Sequence, residues 1–101
     1  MNEATHWTVP LDHPALAGHF PGTPILPGVV LLDLALQIIA DSSGIALDLC
    51  EISSLKFLSP ARPGDELVIE HSVAASGSIR FDISAGNRKI ASGSIVPGLA
   101  A

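Results

Sequence analysis

Residues 1–55 contain no lysine or arginine, and the whole chain of 101 residues carries only five basic side chains against ten acidic ones. The formal charge of −5 argues against non-specific binding to nucleic acid, which needs a basic surface to neutralise phosphates. Cysteine occurs once, at Cys50. A lone thiol excludes an internal disulfide framework and makes a reducing, cytoplasmic compartment the expectation. Among strand-like apolar neighbours Cys50 reads as a small core residue. A long hydrophobic run is also missing: the apolar stretch 25–40 is shorter than a bilayer span and is broken by Asp33 and Gln37, so no membrane span is expected. The opening MNEATHW has neither a basic nor an apolar region, and no signal peptide is read there. Aromatic residues are scarce at 4%, while eight prolines and nine glycines point to short elements joined by defined turns.

What is present is apolar. With 48% hydrophobic and 15% charged residues the chain reads as one globular domain over 1–101. So high an apolar fraction on so small a chain predicts a buried subunit interface, with a homodimer the natural assembly. All five basic residues, Lys56, Arg62, Arg80, Arg88 and Lys89, lie in the second half. They form either a local patch for an anionic partner or scattered solvated charges on strand faces.

The element pattern is helix first, strands later. A short strand over 6–10 ends at Pro10, and Asp12 with Pro14 suits a brief helix after it. Residues 20–27 hold three prolines and form a stiff loop. From Gly28 to about Ser42 the pattern is helical, started by Pro27 and stopped at Gly44. That helix is apolar nearly all round, which predicts burial on every side. Strands follow at 50–58, 67–75, 79–85 and 88–96, with turns at Ser76–Ser78 and Gly86–Asn87. The expected fold is α+β: one central helix and an antiparallel meander of about four strands, which the N-terminal strand can close.

Within the helix, Asp33 is the anomaly. Burying a carboxylate costs several kcal/mol unless it is paired or functional, in the usual range of about 2–7 for a polar group. Gln37 lies one turn on and can hydrogen-bond it. Burial predicts a raised proton affinity, suiting Asp33 to proton donation; the alternative is an exposed aspartate on a helix less buried than its composition suggests. His19, in the glycine- and proline-rich loop, is the complementary base, against the commoner case of a surface histidine. Gly28 offers a helix N-terminal N–H to a ligand carbonyl, against the alternative of a packing or turn glycine. Base, acid and oxyanion donor together suit proton abstraction beside a carbonyl followed by β-elimination of an oxygen group. His13, before Pro14, reads as a surface or capping residue, and His6 and His71, in or near strands, read as structural residues. Zinc-ligand spacing and phosphate-cradling loops are not seen, and the chemistry calls for no cofactor.

The stretch GHFPGTPILPGVVLLDLALQ (18–37) resembles the signature of the β-hydroxyacyl–acyl carrier protein dehydratases. Gly18, His19, Phe20, Pro21, Gly22, Pro24, Leu26, Pro27, Gly28, Val29, Asp33 and Gln37 all fit the pattern, and LKFLSPARPGDELVIE (55–70) is similar to a downstream segment. The resemblance covers about residues 12–96. It implies the hotdog fold, a curved antiparallel sheet wrapped around one long helix, paired into a homodimer or an assembly of dimers. It implies a (3R)-hydroxyacyl dehydratase acting on acyl carrier protein substrates, with His19 of one subunit facing Asp33 of the other. His19 would take the C2 proton, Asp33 would help the C3 hydroxyl leave, and the Gly28 N–H would polarise the thioester. Gln37 would orient Asp33, Phe20 would line the acyl tunnel, and Pro27 would belong with Gly28 to the substrate-binding helix start. An uncommon cis peptide after His19 is a further implication.

The chain departs from typical members in being short and in carrying Asp rather than Glu on the helix. Short members with a DHPALAGHFPG-like opening (12–22) resemble dehydratases of aryl-polyene and related lipid clusters. A hotdog thioesterase and a non-catalytic carrier-protein-binding subunit of a hetero-oligomer are the alternatives. Lys56, Arg62, Arg88 and Lys89 are candidate contacts to an acidic carrier protein or to its phosphopantetheine phosphate.

Overall fold

The computed structural model describes residues 2–11, 26–45 and 50–97. Its elements are β1 (Asn2–Thr8), α1 (Gly28–Ser43), β2 (Glu51–Phe57), β3 (Glu66–Val73), β4 (Ile79–Ala85) and β5 (Arg88–Val96). The short helix expected between residues 12 and 20, and the proline loop as far as residue 25, lie outside the described residues.

Residues 28–43 form a helix because they lack interior glycine and proline and because both ends are marked. Pro27 is the N-cap, with φ −58° and ψ 143°, and Leu31 N–H donates to its carbonyl at 3.0 Å. Gly44 closes the other end in the left-handed conformation, φ 74°, and its N–H donates to the Ala40 carbonyl at 2.9 Å. A residue with a Cβ would be strained there.

The strands form one antiparallel sheet in the order β1-β3-β4-β5-β2. The meander expectation is corrected here. Only β3, β4 and β5 follow one another as neighbours, and β2 crosses to the far edge to pair with β5. The N-terminal strand runs over 2–8 rather than 6–10, pairing with β3 from Asn2↔Ser72 to Thr8↔Glu66. It stops before Pro10, whose nitrogen has no proton for a ladder. The β3–β4 connection is also longer than the sequence suggests, since Ala74 N–H donates to the Ser78 carbonyl at 2.8 Å. The Gly86–Asn87 turn is as expected, with Gly86 at φ 59°.

Two irregularities shape the β5 region. Between Ile83↔Ala91 and Ser84↔Lys89 the register shifts, so Ile90 is an extra residue and both Ile90 and Ala91 are buried. The Ile90 carbonyl then accepts from Leu58 N–H (2.8 Å) and Ser59 N–H (3.3 Å), fixing the end of β2. A second shift lies between Ile52 and Ser54 on β2. Opposite it Gly93 is buried without room for a side chain: a Cβ would lie 2.7 Å from the Ser54 carbonyl oxygen and 2.8 Å from Phe81 Cζ.

Alternation decides which face is the core. Leu67 and Ile69 on β3, and Ile79, Phe81 and Ile83 on β4, are buried, as are Ala91 and Ile95 on β5. Leu31, Ala35 and Ile39, spaced four apart on α1, complete this cluster. Each fully buried large side chain contributes about 1.5–3 kcal/mol. Cys50 is half-buried and packs against the same core, as read from the sequence.

The turn between β2 and β3 gathers the remaining chain. Val9 N–H donates to the Asp65 carbonyl and Gly64 N–H to the Val9 carbonyl, both at 2.9 Å, while Leu26 N–H donates to the Ala61 carbonyl at 2.8 Å. Asp65 braces this turn by accepting from Arg62 N–H at 2.8 Å and from the Arg88 guanidinium. Among the described residues no helix is long and apolar enough to cross a membrane.

Candidate active site

Leu26, Gly28 and Leu31 at the start of α1 face Phe57, Leu58, Ser59, Pro60 and Ala61 across a concavity of about 380 Å³. Phe57 was not singled out in the sequence reading, yet it sits over the helix start. A Cβ on Gly28 would lie 2.9 Å from its Cζ and 3.2 Å from both Cε atoms. The packing reading of Gly28 therefore holds: glycine admits the aromatic ring. The oxyanion reading is compatible with it, because the first N–H groups of a helix have no intrahelical acceptor and carry the positive end of its dipole. The signal that could have found Phe57 is its place in LKFL, one of few aromatic residues in the chain and next to Leu58 at the end of an edge strand.

Asp33 and Gln37 come together as expected. Gln37 Nε2 donates to Asp33 Oδ2 at 3.1 Å, one helical turn apart. Their setting is different from the expectation. Both side chains are exposed, so burial of α1 on every side is incorrect for the single chain. Only Leu31, Ala35 and Ile39 are buried; Val29, Asp33, Gln37 and Asp41 form an exposed row, and Val29 is 73% accessible. The physical reason is that one sheet covers one side of a helix. The desolvation argued for Asp33 has no counterpart in this chain alone. Between the two rows Val30, Leu32, Leu34, Leu36 and Ile38 remain half-buried, an apolar margin around the carboxylate.

His19 and Phe20 lie outside the described residues, as does the peptide between them. Pro27 is half-buried at the helix N-cap, bordering the concavity through its neighbours. The four basic candidates separate. Arg88 pairs with Asp65, and Lys89 Nζ lies 3.7 Å from Asp82 Oδ1. Arg62, which follows Ala61 in the chain, has an exposed side chain and does not line the concavity. Lys56 belongs to a different surface, together with Arg80, Ser92 and Ser94. His71 is buried on the core face of β3, in line with a structural role, whereas His6 on β1 is exposed and does not contribute to the core. His71 Nδ1 has no hydrogen-bond partner. Among the described residues no group of three or more His, Cys, Asp or Glu could hold a metal.

A family model described as "ApeI-like: ApeI dehydratase" matches residues 2–94. A 3-hydroxyacyl-(acyl-carrier-protein) dehydratase FabZ of Syntrophobacter fumaroxidans is 31% identical over 85 residues, covering 76% of this chain and 58% of its own. The FabZ of Geobacter metallireducens is 37% identical over 81 residues, covering 71% of this chain and 53% of its own. The chain thus spans little more than half the length of these two curated relatives. Among solved structures, the dehydratase heterocomplex ApeI:P from Xenorhabdus doucetiae superposes with a TM-score of 0.78 at 21% identity, covering 94% of this chain and 85% of that one. A probable thioesterase from Bartonella henselae superposes at 0.66 with 11% identity, covering 93% of this chain and 85% of that one. These likenesses show the fold, the hotdog arrangement.

Proposed function

Since the chain belongs to the ApeI-like dehydratase family, we propose that it removes water from a (3R)-hydroxyacyl thioester carried by acyl carrier protein, giving the trans-2-enoyl thioester. The observation that carries this reading is the Asp33–Gln37 pair: an oriented carboxylate on an exposed helix row, set in an apolar margin beside a glycine helix start. Such a margin leaves the site open in one chain and closes it when a second chain covers α1. The covering subunit brings its own His19 towards Asp33, and burial then supplies the dry environment in which proton transfer is efficient.

In the forward reaction His19 takes the C2 proton of the substrate. The C2–H electron pair becomes the new C2=C3 bond, and the C3–O bond breaks. Asp33 delivers a proton to the departing hydroxyl, which leaves as water. Gln37 donates to one carboxylate oxygen and leaves the other for the substrate or for an intervening water. The Gly28 N–H stabilises negative charge on the thioester oxygen, an interaction that strengthens as charge develops. As written, the reaction draws on no cofactor. Arg62, exposed and next in the chain to Ala61, is the cation assigned in this reading to an acidic carrier protein.

Hydration of a trans-2-enoyl thioester, followed by loss of enoyl absorbance, tests this reading. Turnover should vanish in His19→Ala and Asp33→Ala while the fold is retained. Release of free thiol without absorbance change would instead identify a thioesterase. Turnover that appears only when a second hotdog chain is added would identify a subunit of a hetero-oligomer, an arrangement suggested by the ApeI:P heterocomplex.

A further inference from the structure

The sheet face opposite the core carries a feature that the dehydratase site does not use. We infer that Lys56 and Arg80, with the hydroxyls of Ser54, Ser92 and Ser94, form a binding site for the phosphoryl group of a soluble phosphate ester.

The placement follows from register. Ser94 on β5 is opposite Ser54 on β2 and Arg80 on β4, so these three share one row across the sheet. In the next row Ser92 is opposite Lys56 on β2 and Asp82 on β4. Ile79, Phe81 and Ile83 of β4 are buried, so Arg80 and Asp82 alternate onto the outer face. The small serines leave a hollow of about 250 Å³ lined by Ser54, Lys56, Arg80, Ser92 and Ser94, with a cation on either side. Ser92 and Ser94 are half-buried and form its floor.

Charge pairing separates these cations from Arg88 and Lys89; Arg62, which does not line this hollow, also has no acidic partner among the described residues. Arg88 and Lys89 are engaged by Asp65 and Asp82, whereas Lys56 and Arg80 have no acidic partner among the described residues. The acids on the same face are Asp82, held by Lys89, Glu70 and Glu66 on β3, and Glu51 on β2 opposite Val96; none of the four lines the hollow. On a chain of net charge −5, two unpaired cations flanking β5 make a local site for an anion.

The donor set favours phosphate over carboxylate. A guanidinium fork, an ammonium and three hydroxyls offer more donors than two carboxylate oxygens can accept, and they suit a tetrahedral anion. A lipid headgroup is disfavoured. Among the described residues lining the hollow, Leu55 is the one large apolar side chain, and it is half-buried. The sheet separates this hollow from α1, so the inference does not rest on the proposed reaction.

Titration of inorganic phosphate into isotope-labelled protein at constant ionic strength tests it, read from the backbone amides of Ser54, Arg80, Ser92 and Ser94. Saturable shifts confined to these positions are expected, with acetate much weaker. Arg80→Gln and Lys56→Gln should each weaken binding by about tenfold, the usual scale for a charged hydrogen bond. Coenzyme A should move the same amides with higher affinity, whereas vesicles rich in phosphatidylglycerol should not bind through them. Shifts that fail to saturate, that acetate reproduces, or that survive Arg80→Gln would overturn the site. Vesicle binding lost in Arg80→Gln would overturn its assignment to a soluble ester.

Discussion

Gln37 Nε2 donates to Asp33 Oδ2 at 3.1 Å across one turn of α1. Because both groups are exposed in the single chain, this hydrogen bond adds little to stability, on the order of 0–1 kcal/mol. Its value lies in setting which carboxylate oxygen faces outward. Gln37→Leu should therefore leave thermal unfolding nearly unchanged and lower the rate of enoyl-thioester hydration by about tenfold. Asp33→Asn, which removes the acid, should lower it by about a hundredfold or more. Equal rates for Gln37→Leu and the unaltered chain would remove Gln37 from the site.

Gly28→Ala would bring a methyl group against the Phe57 ring, where the geometry leaves 2.9 Å. Phe57 is 49% accessible and lies at the end of an edge strand, so the ring can yield at a cost of about 1–3 kcal/mol. Chemical denaturation should show that loss, and adding Phe57→Leu should recover most of it. Lack of recovery in the double variant would mean that the helix start, and not the ring, resists the methyl group.

Val29 begins the exposed row that continues through Asp33 and Gln37. If a second subunit covers this row, Val29→Asp places a charge in the interface. Sedimentation should then show a shift towards monomer, with circular dichroism unaltered and hydration activity lost. An unchanged sedimentation coefficient would place the subunit contact elsewhere.

Gly93 offers a contrast with Gly28. A methyl group there meets the Ser54 backbone carbonyl at 2.7 Å as well as the Phe81 ring. A carbonyl held in the β2–β5 pairing cannot rotate away as a side chain can. Gly93→Ala should cost about 2–3 kcal/mol or more, and Phe81→Leu should fail to restore it. Full recovery in that pair would show that only the ring was in conflict.

Local chemistry was legible in the sequence. Pro27 and Gly44 bounded the helix correctly because φ restriction and the left-handed cap are properties of single residues. The alternation Ile79, Phe81, Ile83 gave the buried face of β4, since a period of two has one structural meaning. Pairing was not legible: nothing in residues 50–58 states that β2 will join β5 rather than β3, because the choice depends on contacts distant in sequence. The exposure of Asp33 was misread for a related reason. A helix with apolar residues on most sides looks alike whether its own chain or another one covers it. Arg80 appeared only as one of five basic residues, and it took the register to set it beside Ser94.

The turn at 61–65 binds Val9 on one side and Leu26 on the other. One short turn thus ties the end of β1 to the start of α1, two places far apart along the chain. A disturbance at 61–65 would be felt at once at the edge of the sheet and at the helix start beside Gly28, so this turn is a shared keystone for both.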